Sequence, residues 1–160
     1  MSRIFEGISA YMRDRFDAED WEEDDEGDKT LAFLLEDDQD NEWDCAVLVD
    51  DRDERLVFYS TMLEPVAPDY RPAVMEFVTR ANFALPVGNF ELDLEDGEIC
   101  FKTSLDLEGV ELHDSMSRNL IDTNLMVMGV YFEALQSVMH GKAEPVEAIA
   151  AVEDEQDEED

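Results

Sequence analysis

The chain has 160 residues, with 44 acidic and 11 basic side chains and a formal net charge of −33. A chain this acidic repels phosphate groups. Its charge therefore excludes the functions that depend on Lys and Arg contacts to phosphate, namely binding of nucleic acid and of anionic membranes. No apolar run approaches the roughly 20 residues that span a bilayer, and Met1 leads into a charged helix rather than a signal peptide, so we expect a cytoplasmic protein with no membrane partner.

The first predicted element is an amphipathic helix over residues 2–16, where apolar side chains recur every three or four positions. Residues 17–28 hold nine acids and no base, and they predict an exposed acidic loop. Acid runs usually solvate a protein. A surface for a basic partner, mimicry of nucleic acid and adaptation to high salt remain open alternatives.

Three β-prone runs follow, at residues 30–36, 43–50 and 55–62, separated by charged turns. Residues 46–49 and 56–59 are almost continuously apolar. This pattern is typical of strands covered on both faces, and we interpret it that way here.

A second helix is predicted from Pro72 to about residue 83, with Asn82 bonding to the backbone of the following turn. Asp96 and Gly97 then predict a two-residue type I′ hairpin turn. The resulting cross-strand pairs are Glu95–Glu98, Leu94–Ile99, Asp93–Cys100, Leu92–Phe101 and Phe90–Thr103. This register gives the hairpin one apolar face and one wet face.

A third, long helix is predicted from Asp114 or Ser115 to His140, followed by Gly141 in the left-handed position. It carries two neighbouring apolar stripes, which indicate either deep burial or a second surface that binds a partner. We expect one domain over residues 1–142, with the acidic loop inserted, and a short acidic tail over residues 143–160 that is disordered.

Residues suited to catalysis are few. Cys45 and Cys100 fall in predicted strands without a metal or redox spacing, so we expect two buried, reduced thiols. His113 and His140 flank the third helix without a catalytic partner, and the acid-rich windows lack the Gly and Glu spacing of a calcium loop. The sequence therefore predicts no catalytic, cofactor-binding or metal-binding residues, and a protein that is not an enzyme.

The predicted order, α-βββ-α-ββ-α, indicates an α+β fold with one antiparallel sheet packed against helices. The residues that resemble a known family are Asn82, 85–93, 95–98 and 101–105, followed by 119–121, 124–125, 131–132, 138–141 and 144–149. In these segments the chain resembles the YbjN domain of bacteria. The resemblance implies a fold similar to type III secretion chaperones, which often dimerise, and a role as a regulator of sensory transduction. It also implies a non-enzymatic protein, although the acidic loop and tail depart from the family pattern.

These observations predict a chaperone-like or regulatory module that holds a segment of a partner protein on an apolar helix or strand surface. A homodimer through the second or third helix is part of this hypothesis. The candidate partner or dimer surface comprises Val47, Val49, Met126, Met128, Tyr131 and Phe132. The alternative is an acidic nucleic-acid mimic or charge-driven binder of a basic protein.

Overall fold

The computed structural model describes residues 2–159, which form a six-stranded antiparallel sheet and four α-helices. The helices are α1 (Arg3–Phe16), α2 (Arg71–Ala84), α3 (Asp114–Met139) and α4 (Pro145–Glu159). The strands are β1 (Trp21–Glu23), β2 (Lys29–Glu36), β3 (Glu42–Asp50), β4 (Arg55–Thr61), β5 (Asn89–Leu92) and β6 (Ile99–Asp106). Their order across the sheet is β1-β2-β3-β4-β6-β5. The predicted α+β fold with one antiparallel sheet packed against helices is confirmed.

One face of the sheet forms the core. Trp43 on β3 packs against Phe132 of α3 with ring centroids 5.6 Å apart, and Phe33 on β2 packs against Phe16 of α1 at 5.2 Å. Burial alternates along β3 and β4, so that every second side chain lies under the helices and its neighbours are half-buried or exposed. The expectation that these strands are covered on both faces is therefore wrong within the chain, because all the helices that contact the sheet lie on one side.

Helix α1 begins where its sequence predicts. The Ser2 hydroxyl accepts a hydrogen bond from the backbone N–H of Phe5 at 3.0 Å, which caps the helix. Its apolar stripe, Ile4, Ile8 and Met12, is buried.

The acidic segment 17–28 contains a strand that the sequence did not predict. Trp21 pairs with Leu31 and Glu23 with Lys29, so β1 forms one edge of the sheet. The Trp21 ring also packs edge-on against Phe5 of α1, with centroids 5.1 Å apart. The Trp21 side chain, which lies between two acid runs, thus anchors the segment. The loop prediction was based on the acids and did not take this one aromatic residue into account.

The hairpin β5–β6 has a different register from the predicted one. Phe90 pairs with Phe101 and Leu92 with Ile99, which leaves a six-residue connection, 93–98, instead of a two-residue turn. Gly97 alone in this connection has a positive φ, of 84°, so the turn is not type I′. The shift is two residues, and it keeps Phe90, Leu92, Ile99 and Phe101 on one face because the strand period is two. Leu94, which the predicted register placed on that face, instead lies in the connection and is 55% exposed.

The register is determined by a contact with the segment before α2. The backbone N–H of Val66 donates to the carbonyl of Gly97 at 2.8 Å, and a Cβ on Gly97 would lie 2.3 Å from the carbonyl oxygen of Val66. The Arg71 guanidinium donates to the carbonyls of Val66 and Leu94, both at 3.0 Å. The longer connection is therefore docked on its neighbour, and Gly97 permits the close approach.

The tail beyond residue 143 was expected to be disordered, and this prediction is wrong. Residues Pro145–Glu159 form α4, with Pro145 in the first turn, where proline is well tolerated. Ala148, Ile149 and Val152 are buried against α2 and α3. Three small or β-branched side chains on one helix face are enough to hold a segment whose other positions are mostly acidic.

Candidate functional site: a groove between the helices

An apolar groove of about 380 Å³ lies between the loop after α2, the middle of α3 and the end of α4. We call it the helix groove. It is lined by Leu85, Pro86, Val87, Thr123, Met126, Val127, Val130, Tyr131 and Gln156. Most of these side chains are apolar, and none of them is charged, which is unusual on a chain with 44 acids. Such a surface suits an apolar ligand segment better than a small polar substrate.

Large apolar side chains project from the rim of the helix groove. Met126 is 63% exposed and Val87 is 55% exposed. Phe83, two residues before the groove residue Leu85, is 95% exposed. Burial of a side chain of this kind contributes about 1.5–3 kcal/mol, so Val87 and Met126, which both line the groove, represent a substantial unused driving force for association.

The chain positions the rim through the junction between α2 and β5. The Asn82 side chain accepts a hydrogen bond from the backbone N–H of Phe90 at 2.7 Å and donates one to the Phe90 carbonyl at 3.1 Å. The prediction was a bond from Asn82 to the turn backbone, and in the structure Asn82 bonds to the backbone of β5 just beyond the turn. Gly88 has φ of 78°, and a Cβ there would lie 2.6 Å from the Phe101 ring. Asn82 and Gly88 thus make a tight junction between α2 and β5, and Pro86 and Val87, which lie between them, line the helix groove.

A second cleft, of about 510 Å³, continues from the helix groove along α3 and α4. The two share Val130 and Gln156. We call the second one the acidic cleft because Glu133, Glu147 and Glu155 line it, and its remaining lining is mainly small: Gly129, Ala134, Ser137, Ala143, Ala148 and Ala151. Together they form one depression that is apolar at one end and acidic at the other.

Comparison with protein-family models gives one finding. A model described as "YbjN: Putative bacterial sensory transduction regulator" matches residues 7–137, which run from the second turn of α1 to near the end of α3. The chain belongs to the YbjN family. A comparison with curated proteins finds no match to it. The YbjN match ends before α4, so the helix that forms one wall of both clefts lies outside the matched residues.

Of the residues predicted as a partner surface of this YbjN protein, some are exposed in the structure and others are buried. Met126 is exposed at the rim of the helix groove. Val47 and Val49 are fully buried under the helices, and Met128 and Phe132 are buried against the sheet. For these four residues the predicted surface is wrong, because the two valines lie on the face of the sheet that the helices cover and α3 turns Met128 and Phe132 toward that face.

Tyr131 has an intermediate position. It is 7% exposed, packs against Phe77 and Phe90 and contributes its remaining surface to the helix groove. Burial raises the pKa of its phenol, and the negative charge of Glu153 raises it further. Tyr131 is therefore a neutral, mainly apolar part of the groove wall near the acidic end of α4.

Sequence reasoning missed most of the groove. Leu85, Pro86 and Val87 were assigned only to the end of a helix and a turn, and Phe83 was not singled out. Phe83 lies off the apolar face of α2, whose buried residues are Val74, Phe77, Val78 and Ala81. An aromatic residue outside the helical apolar period was the available signal.

The reactive groups of the chain lie elsewhere and are not arranged for chemistry. Burial raises the pKa of the Cys45 and Cys100 thiols to about 12, which keeps both protonated near neutral pH. His140 pairs with Glu64 at 3.3 Å on the surface, away from the helix groove. Among residues 2–159, no cluster of three or more His, Cys, Asp or Glu side chains has the geometry of a metal site. Over the same residues, no helix has the length and apolar character that a membrane crossing requires.

Proposed function

We propose that this YbjN-family chain is a non-enzymatic, protein-binding regulatory module that holds an apolar segment of a partner protein in the helix groove. The observation that carries the proposal is the exposure of Val87 and Met126, two large apolar side chains that line an uncharged groove. Contiguous exposed apolar surface on a soluble protein commonly marks an interaction site. The description of the family as a regulator supports a binding role over a catalytic one.

The acidic cleft would determine the orientation in which the partner segment binds. A segment with apolar side chains in the helix groove and Lys or Arg toward Glu133 and Glu155 would match the depression in both parts. Apolar contacts would supply most of the affinity, and the acids would increase the association rate and select against acidic segments. The remaining surface acids would keep the complex soluble.

The test is capture of partners by the tagged chain from its own cells, with crosslinking and mass spectrometry at low and high salt. Val87→Asn and Val110→Asn form a matched pair, because these valines are 55% and 54% exposed and only Val87 lines the groove. We expect Val87→Asn, and Met126→Gln likewise, to lose specific partners that Val110→Asn retains. Equal capture by all three variants contradicts the proposal.

Salt separates this function from the alternative, a charge-driven binder of basic proteins or a nucleic-acid mimic. The chain's net charge of −33 favours that alternative at low ionic strength. Partners held in the helix groove should remain bound at about 0.5 M salt, where the Debye length falls to a few ångströms. Recovery of basic proteins alone, all lost as salt rises, would support the alternative.

A further inference from the structure

The face of the sheet opposite the helices is uncovered within residues 2–159 and has an apolar centre. Strand alternation places Ala46 and Leu48 of β3 on this open face, beside Tyr59 and Val57 of β4. All four side chains are half-buried by their neighbours on the sheet, and Leu34 of β2 on the same face is 58% exposed. Antiparallel sheets that face water normally carry polar side chains at such positions.

Charge is distributed unevenly over the open face. Strands β2 and β3 contribute four acids and no base, namely Glu36, Glu42, Asp44 and Asp50. Strands β4 and β6 contribute Arg55, Lys102 and Asp106, and Lys102 also pairs with Glu91 of β5. One half of the face is therefore strongly negative, and the other half holds two of the chain's eleven basic side chains.

We propose that the open face is a homodimer interface, occupied by the same face of a second copy of this chain. A two-fold axis parallel to the strands and between β3 and β4 places the acidic half of one copy over the half with Arg55 and Lys102 of the other. Leu48 then faces Val57 of the second copy and Ala46 faces its Tyr59, each contact occurring twice, as an isologous interface requires. An axis perpendicular to the strands would instead place acids over acids.

The size of the face determines how strong this dimer is. Four strands of seven to nine residues, about 4.8 Å apart, present roughly 500 Å² of flat sheet per copy. Two such faces bury about 1,000 Å², the lower end of specific interfaces. We therefore expect a reversible dimer with a dissociation constant in the micromolar range, opposed by the net charge of each copy and strengthened by salt. The helix groove of each copy remains free on the outer side.

The test is sedimentation velocity of the full chain from about 1 to 200 µM, at about 50 mM and 0.5 M salt. We expect a monomer–dimer equilibrium that shifts toward dimer at the higher salt. Leu48→Glu brings two acids close to the axis and should weaken the dimer by about tenfold or more. Met75→Glu makes the same charge change at a 43% exposed position of α2, on the helix side and outside the helix groove, and should have little effect. A monomer at every concentration and salt, or a dimer that Leu48→Glu leaves intact, overturns the proposal.

A second measurement covers the case in which Leu48→Glu folds poorly. Leu48→Cys and Val57→Cys are mild changes at half-buried positions, and Cys45 and Cys100 are buried. Mixing the two variants under mild oxidation should give a disulfide-linked heterodimer faster than either variant gives a linked homodimer, because the axis places position 48 over position 57. Equal rates in all three samples overturn the proposed geometry.

Discussion

The Ser60 hydroxyl donates a hydrogen bond to the side-chain oxygen of Asn124 at 2.6 Å, which joins β4 to α3 across 64 residues of sequence. Both residues are fully buried. The Asn124 amide donates to the carbonyl oxygens of Phe58 at 2.9 Å and Phe101 at 3.1 Å, and the Trp43 indole donates to Ser60 at 3.0 Å. The network satisfies buried polar groups, and its geometry fixes the position of α3 on the sheet.

Asn124→Ala should therefore destabilise the chain more than an ordinary polar deletion. It leaves the Ser60 hydroxyl without its acceptor and opens a small cavity, and together these should lower the free energy of unfolding by about 2–4 kcal/mol. Urea unfolding followed by circular dichroism measures the change. Asn119→Ala, at an exposed position of the same helix, is the control and should change the free energy by less than about 0.5 kcal/mol. Similar losses for the two variants would contradict this account.

Gly97→Ala tests the contact that determines the hairpin register. A Cβ at residue 97 would lie 2.3 Å from the Val66 carbonyl oxygen, and φ is 84°. Gly109→Ala is a matched control, because its φ is 71° and no atom lies within 4 Å of its Cβ position. The control should lose only the about 1–2 kcal/mol of a left-handed alanine, measured by urea unfolding. Gly97→Ala should lose clearly more, and equal losses would mean that the close approach to Val66 is unimportant.

Local patterns predicted α1, α2, α3 and most of the strands because each depends on nearby residues. The apolar periods of α1 and α3 gave bounds within two residues of the structure. The hairpin register was wrong because it depends on Val66 and Arg71, which are distant in sequence from Gly97. Pattern reasoning finds an element from its own residues, whereas register here depends on a tertiary contact.

The candidate site was predicted less well, and α3 shows why. Its two apolar stripes left deep burial and partner binding as alternatives. One stripe packs on the sheet, and α2 and α4 cover much of the other, so Met128 and Phe132 belong to the core. The acid run led the sequence analysis to predict a disordered tail in place of α4. Without α4, no sequence argument could choose between deep burial and partner binding for the stripes of α3. Met126, which belongs to neither stripe, is 63% exposed.

Val152→Asp tests whether α4 is part of the fold. Val152 is 5% exposed, so an aspartate there would bury an unpaired charge and should detach α4 from α2 and α3. We expect a loss of about 2–4 kcal/mol in urea unfolding, and hydrogen exchange should show lost protection in α4. Ala150→Asp, at an exposed position of the same helix, should leave both unchanged. Lack of protection in α4 of the parent chain would restore the disordered tail that the sequence predicted, and unchanged protection in Val152→Asp would mean that Val152 does not hold α4 in place.

The ion pair between Lys29 and Asp51 predicts a pH dependence. Their atoms Nζ and Oδ2 are 2.8 Å apart, with side chains 16% and 24% exposed. Burial raises the pKa of the Asp51 carboxyl, but hydrogen bonds from Lys29 and Ser2 outweigh it, so the pKa lies below its ordinary value of 3.8. The hydrogen bond to Asp51 also raises the pKa of Lys29 above 10.5. Both shifts favour the charged pair in the folded state.

The sign of the effect follows from the lowered pKa of Asp51. Its contribution to stability is present above pH 3.8 and is lost as the pH falls through the lower native pKa. Asp51→Asn should therefore reduce the free energy of unfolding at pH 7 by about 1 kcal/mol, since the pair is partly exposed. The difference from the parent chain should begin to shrink as the pH falls below 3.8 and should vanish once the pH is below the native pKa of Asp51, as urea unfolding at each pH would show. Asp53→Asn, whose carboxylate pairs with Arg55 at 3.5 Å on an exposed turn, is the control and should change stability little at either pH. A deficit for Asp51→Asn that persists unchanged in acid would mean that Asp51 stabilises the fold by packing, not by its charge.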